Sequence, residues 1–134
     1  MCTFYVGQRA SAAKTISESD VYLFAGITGD LNPAHVNEEY AKTTRFKKRI
    51  AHGILSSGLI SAVLGTKLPG PGCIYLEQSL KFTAPVYIGD TVTATVEVVS
   101  IDTERNRAVL STSCTNQDGQ TVIGGEALVM LPKK

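Results

Sequence analysis

The sequence predicts an α+β domain in which a curved antiparallel sheet wraps one buried helix, and three observations carry that expectation. From Gly53 to Leu64 the chain runs GILSSGLISAVL, a helical length with no charged residue on any side. A helix that is apolar or small all round is buried, not amphipathic. This one is too short and too rich in Ser and Gly to cross a bilayer, which takes about 20 apolar residues. Second, from Tyr75 onward the period of the apolar residues changes from helical to two. Third, the alternating runs are separated by short turns, the pattern of an antiparallel meander. The simplest packing of one uncharged helix and one such sheet curves the sheet around the helix.

Taken in order, Thr3 to Thr15 is a weakly extended entry broken at Gly7. Ser17-x-x-Asp20 is a capping box. Val21, Phe24 and Ala25 follow at helical spacing, and Gly29 is a natural stop, so a helix of about three turns delivers the chain to Asp30. Pro33 disfavours helix at Asn32, which makes Asp30 to Asn37 a loop or turn. Asn37 caps a short helix over EEYAKTT, and His52-Gly53 opens the uncharged one. In that helix Leu55, Leu59, Ala62 and Val63 form an apolar face, and Ser57, Gly58, Ser61 and Gly65 a small-residue face. Gly65 to Gly72, with Pro69 and Pro71, is a loop. The strands then run Tyr75 to Phe82, Thr91 to Val98, Ala108 to Cys114 and Thr121 to Leu131. Gly89-Asp90, Asp102 to Asn106 and Asn116 to Gly119 supply turns. Gly124-Gly125 inside the last strand implies a bulge or strong curvature.

Length and composition bound the function. The 134 residues make one domain, 1–134, with room for a core. A net charge of +1 gives no general attraction to nucleic acid or membrane, and the absence of Trp argues against a base-stacking surface. Cys2, Cys73 and Cys114 have neither CxxC nor metal-ligand spacing, so they are expected as reduced thiols in a cytoplasmic protein. The opening MCTFYVGQRA lacks the pattern of a secretory signal.

The chemistry gathers between Asp30 and Gly53, which holds both histidines. Asp30, Asn32, Pro33, His35 and Asn37 form a polar knot. Asn and Asp beside Pro are ordinary turn formers. A stiff turn also holds a carboxylate and an imidazole on one water or one proton, and His titrates near neutrality. At Gly53 a helix N-terminus offers free N–H groups with no side chain in the way. Arg45, Lys47, Lys48 and Arg49 are either a solvated basic edge or a phosphate site.

The signature Asp30-x-Asn32-Pro33-x-His35, with His52-Gly53 at the head of a buried helix and Phe82-x-x-Pro85-Val86-x-x-Gly89-Asp90 beyond it, resembles the MaoC-like (R)-specific enoyl-CoA hydratases of the hot-dog fold. The similarity runs from about Val6 to Pro132. It implies reversible hydration of trans-2-enoyl-CoA to (R)-3-hydroxyacyl-CoA by a cytoplasmic homodimer, without metal or other cofactor, as in the short bacterial hydratases that feed polyhydroxyalkanoate synthesis. Residue by residue it makes Asp30 and His35 the catalytic pair, Asn32 their support, and Gly53 the oxyanion N–H. Ser61 borders the pocket, with Ser57 on the same path, and Leu64 and Leu128 are nominated as acyl walls that favour short chains. Arg45, Lys47 and Lys48 are the candidates for CoA phosphates. The alternatives are a 3-hydroxyacyl-[acyl-carrier-protein] dehydratase, a thioesterase and a non-catalytic acyl-CoA-binding module. A thioesterase is expected to carry an acid or nucleophile on the central helix, and this helix has no carboxylate.

Overall fold

The computed structural model describes residues 3–133. Cys2 lies outside them; Cys73 and Cys114 are free thiols, the latter buried. The strands are β1 (Arg9–Thr15), β2 (Ile74–Gln78), β3 (Lys81–Phe82), β4 (Thr91–Asp102), β5 (Arg107–Thr115) and β6 (Thr121–Met130). The helices are α1 (Glu18–Thr28), α2 (Pro33–Val36), α3 (Glu38–Lys42) and α4 (Gly53–Thr66). The six strands form an antiparallel sheet in the order β1-β4-β5-β6-β2, with β3 also paired to β6. The uncharged helix, α4, lies against it as expected. Ile60, Val63 and Leu64 of α4 share a core with Val92, Val96, Leu110 and Val129 of the sheet. Among the described residues no helix is long and apolar enough to cross a membrane.

The local signals before α4 hold. Ser17 caps α1 with the full reciprocal box, and Gly29 closes it in the left-handed conformation at φ 79. Asn37 caps α3, although that helix stops at Lys42. Three expectations need correction. The entry segment is a regular strand, in register with β4 from Arg9 opposite Glu97 to Thr15 opposite Thr91. Its Ala-rich sequence shows no alternation, so β4 supplies the order that its own pattern lacks. The knot is not all turn, because Pro33 starts a single helical turn, α2, for which its fixed φ is pre-set. In α4 the buried face is Ser56, Ile60, Val63 and Leu64, while Leu55 and Leu59 are half-buried and Ala62 is exposed. With no charge on any side, the pattern of α4 itself could not fix which face turns inward.

The strand expected over Tyr75 to Phe82 is broken into β2 and β3 where it crosses β6. Ser79 N–H donates to Glu126 O, and Glu126 N–H donates to Ser79 Oγ. A Cβ on Gly125 would stand 1.9 Å from Ser79 O, so this crossing excludes every side chain. The irregularity expected at Gly124-Gly125 falls next door. Cys114 opposes Ile123 and Thr115 opposes Thr121, which leaves Val122 as the extra residue. The bulge inverts the alternation. Val122 and Ile123 are both buried, and beyond them the odd-numbered Ala127 and Val129 face inward.

Candidate active site

The site is assembled where α1, α2 and the start of α4 meet. Asp30 directly follows the Gly29 stop of α1. Its N–H donates to Thr28 Oγ1 at 3.1 Å, and its Oδ1 accepts Asn32 N–H at 3.2 Å. Asn32 Oδ1 in turn accepts Ala34 N–H at 3.0 Å and caps α2. These short bonds aim the single turn that carries His35.

His35 is 9% exposed, and His52, the residue before α4, is 2% exposed. Each ring uses one nitrogen on a main-chain carbonyl. His35 Nδ1 lies 2.6 Å from Ile50 O, and His52 Nε2 lies 2.9 Å from Asp30 O. A carbonyl only accepts, so each of these nitrogens carries the hydrogen, and in the neutral ring the other nitrogen keeps its lone pair. The rings stack with centroids 3.9 Å apart and planes at 34°, and Phe24 packs on His52 at 4.7 Å. A carboxylate oxygen of Asp30 and one ring nitrogen of each histidine lie within 4.8 Å of one another. The nitrogens left to accept are Nε2 of His35 and Nδ1 of His52. Burial lowers the pKa of His35 below the ordinary histidine value, and the neighbouring His52 adds to this; the Ile50 carbonyl and Asp30 oppose it. The balance favours the neutral form of His35.

A cleft of about 440 Å³ opens beside this cluster, lined by His35, Arg45, Gly53, Ile54, Phe82 and their neighbours. His52 places no side-chain cap on α4; the Leu55 N–H donates to His52 O, and the Gly53 N–H has no partner among the described hydrogen bonds. Gly53 sits close against the Phe82 ring. A Cβ there would lie 2.6 Å from both Cδ1 and Cε1 of Phe82.

The structure thus brings Asp30, His35 and Gly53 to one place and gives Asn32 a capping role. Ser57 and Ser61 follow Gly53 at successive turns of one stripe of α4, with Leu64 next along it. The Ser57 hydroxyl donates to Ile54 O, Ser61 is exposed, and Leu64 is buried in the core. Leu128 is not brought to Leu64. The bulge at Val122 turns it to the other side of the sheet, where it lines a depression with Glu77, Gln78, Ser79, Val109 and Glu126. Val129 is the adjacent β6 residue that shares the core with Leu64. The basic run divides as well. Arg45 lines the cleft with its guanidinium 5.5 Å from the Phe46 ring, Lys48 lies 5.3 Å over Tyr87, and Lys47 is exposed. Arg49 is turned inward and donates to Glu18, Tyr22 Oη and Glu38. The contribution of His52 goes beyond its sequence reading, where it served only as the residue before Gly53. Its contacts to Asp30 and His35 are tertiary, and its presence beside the helix-opening glycine is the one signal that marked it.

The chain is similar to known proteins in sequence and in fold. A family model described as "MaoC like domain" matches residues 6–118. The chain is 66% identical to an (R)-specific enoyl-CoA hydratase of Rhodospirillum rubrum over 128 residues, 96% of this chain and 88% of the relative. Among solved structures it is similar to the (R)-hydratase from Aeromonas caviae involved in PHA biosynthesis, with a TM-score of 0.95, 43% identity and coverage of 97% and 98% of the two chains. It is also similar to an unliganded R-hydratase from Pseudomonas aeruginosa, with a TM-score of 0.93, 48% identity and coverage of 98% and 84%.

Proposed function

This chain belongs to the MaoC-like domain family, and on that footing we propose that it is an (R)-specific enoyl-CoA hydratase that adds water across a trans-2-enoyl thioester. Its open sheet and central helix are the hot-dog fold of these hydratases. One observation carries the reading. His35 gives its Nδ1 hydrogen to Ile50 O, keeps an acceptor nitrogen, stands beside the Asp30 carboxyl group, and lines the same cleft as Gly53.

The chemistry follows from those positions. The substrate's C3 becomes electrophilic when its thioester oxygen is polarised, and the Gly53 N–H at the N-terminus of α4 holds that oxygen as it gains charge. Water held by the pair gives a proton to His35 while its oxygen bonds to C3. The electron pair of the double bond moves onto the thioester as an enolate. His35 passes the proton it took from water to the Asp30 carboxylate, and the enolate takes it from there at C2, which returns both groups to their starting state. The sum is water added across one double bond, with no change of oxidation state that would call for a redox group. Asp30 and His35 stand side by side, so the proton passes within the pair.

Arg45 at the cleft, with Lys47 and Lys48 nearby, suits the phosphates of an acyl-CoA. The second copy of a homodimer belongs at β2, an edge strand that exposes Ile74, Tyr75 and Leu76. Light scattering at micromolar concentration is expected to give twice the chain mass, and the monomer mass would remove this part of the reading. A reduced, cytoplasmic setting fits the buried Cys114, whose pKa is pushed up to about 11 by burial. Crotonyl-CoA assayed by loss of the enoyl absorbance, with chiral analysis of the product, tests the whole. The (R)-3-hydroxyacyl-CoA is expected, a form suited to polyhydroxyalkanoate synthesis. No turnover, or an (S) product, would overturn the proposal.

A further inference from the structure

Two buried polar atoms at the base of α4 have no hydrogen-bond partner among the described residues, His52 Nδ1 and Ser56 Oγ. Both side chains are at least nine-tenths buried, at 2% and 0% exposure. Protein interiors pair nearly all such atoms, so two orphans on the same helical turn call for a physical account. The residues are neighbours through the backbone as well: Ser56 N–H donates to His52 O at 3.4 Å.

Their chemistry is complementary. Asp30 O accepts from His52 Nε2, so Nε2 carries the hydrogen and Nδ1 is left as an acceptor in the neutral ring. A serine hydroxyl is a donor that rotates about its C–O bond. The opposite tautomer of His52 would set a lone pair against the Asp30 carbonyl oxygen and release the main chain that presents the Asp30 carboxyl group. It would also disturb the face on which His35 stacks.

We propose that Ser56 is a positioning residue: its hydroxyl donates to His52 Nδ1 through one buried water, and so fixes the His52 tautomer that holds Asp30 and backs His35. The catalytic consequence rests on the hydratase reading, whereas the tautomer does not. Ser56 lies on the buried face of α4 and acts only through His52. The competing arrangement turns the hydroxyl to His52 O, the carbonyl one turn back, as serines inside helices often do. That leaves Nδ1 unpaired and gives Ser56 no influence on the site.

The test is nitrogen-15 NMR of histidine-labelled full-length protein, read beside crotonyl-CoA kinetics and melting temperature. The wild-type chain needs no variant for the first result: His52 is expected as a single neutral tautomer, hydrogen on Nε2, with Nδ1 at the shift of a hydrogen-bonded acceptor. Ser56→Ala is expected to move the Nδ1 signal and to lower kcat roughly tenfold with KM unchanged, since small displacements of a reacting group carry large rate effects. Ser56→Cys, which keeps a weak donor in similar volume, is expected to fall between. A wild-type Nδ1–H tautomer, or a Ser56→Ala protein with unaltered His52 signals and kcat, overturns the inference. Absence of hydratase activity in the wild type would fail the functional reading and leave the NMR to decide this one.

Discussion

The β4–β5 pair and the segment from Asp30 to Gly53 flank the same helix, yet they bury their side chains by opposite means. In β4 as far as Val98 and along β5 every second residue is buried, the backbone bonds to backbone across the ladder, and the inward side chains are almost all apolar. Between Asp30 and Gly53 the buried side chains include two imidazoles, each tied to a main-chain carbonyl from another part of the segment. The first region satisfies its polar groups before any side chain is placed. The second satisfies them with side chains. Substitution is therefore expected to cost stability in the sheet and chemistry in the segment.

The sharpest way to break this contrast is His35→Ala or Asp30→Asn. General acid–base groups contribute ~10²–10⁴ in rate, so each variant is expected to keep less than about a tenth of wild-type kcat at a near-normal melting temperature. Asn32→Ala is expected to be milder in rate, since it loses a helix cap. The pH profile sharpens the same point. The pKa of His35 is lowered from the ordinary 6.5, chiefly by burial, so the acid limb of kcat/KM is expected below that value. The sign for stability is the same: a depressed histidine pKa means that the unfolded chain binds the extra proton first, and stability falls as pH drops below the ordinary value. An acid limb at or above 6.5 would place another group in the base role.

Gly53→Ala comes next and tests the join between the regions. Alanine keeps the N–H, so any loss comes from the Cβ that crowds the approach to it, and the about 10²–10³ cost of losing a preorganised donor outright is the upper bound. Here the added Cβ also meets the Phe82 ring at 2.6 Å, and that ring is half exposed and free to swing away. Folding is expected to survive while kcat falls. Pairing the change with Phe82→Leu separates the two causes. Recovery of the rate in the double variant would show that ring displacement, not crowding at the N–H, was at fault.

What the sequence disclosed divides along the same line. Alternation, caps and the uncharged helix are local or periodic, and β4, β5, α1 and the central position of α4 were legible from them. Asp30, His35 and Gly53 were legible because a motif places them. The His35–His52 stack was not, since it depends on α2 and α4 meeting in space. Leu128 failed for a different reason. One extra residue at Val122 inverts the phase of β6, and neither glycine beside it states where the bulge falls. Leu64→Ala and Leu128→Ala test that reading. Leu64 lies in the core, and such truncations cost about 2–5 kcal/mol. Its variant is expected to melt lower and, if the acyl chain follows the Gly53–Ser57–Ser61 stripe, to raise kcat/KM for an eight-carbon enoyl-CoA relative to crotonyl-CoA. Leu128→Ala is expected to leave that ratio unchanged.

The smallest expected effect lies in the basic run, where four cations in five residues hold two different positions. Arg49 has only 12% of its side chain exposed, and it donates to Glu18 and Tyr22 of α1 and to Glu38 of α3. It thus braces two helices that flank the turn carrying His35. Its carboxylate partners are about half exposed, so solvent screens much of the ion-pair energy. The packing and the fork of hydrogen bonds remain, and lysine reproduces neither. Arg45 stands at the cleft with no acidic partner among the described salt bridges. Arg49→Lys is therefore expected to lower the melting temperature by a few degrees, in line with the ~4–8 °C per kcal/mol of a small domain, with KM nearly unchanged. Arg45→Ala is expected to raise KM for crotonyl-CoA severalfold, more at low salt than at high, with no change in melting temperature. Running the same pair with a crotonyl-pantetheine substrate, which lacks the nucleotide phosphates, completes the argument. The Arg45 effect is expected to vanish there. An effect that persists on pantetheine would mean that Arg45 shapes the cleft itself and that CoA phosphates are held elsewhere.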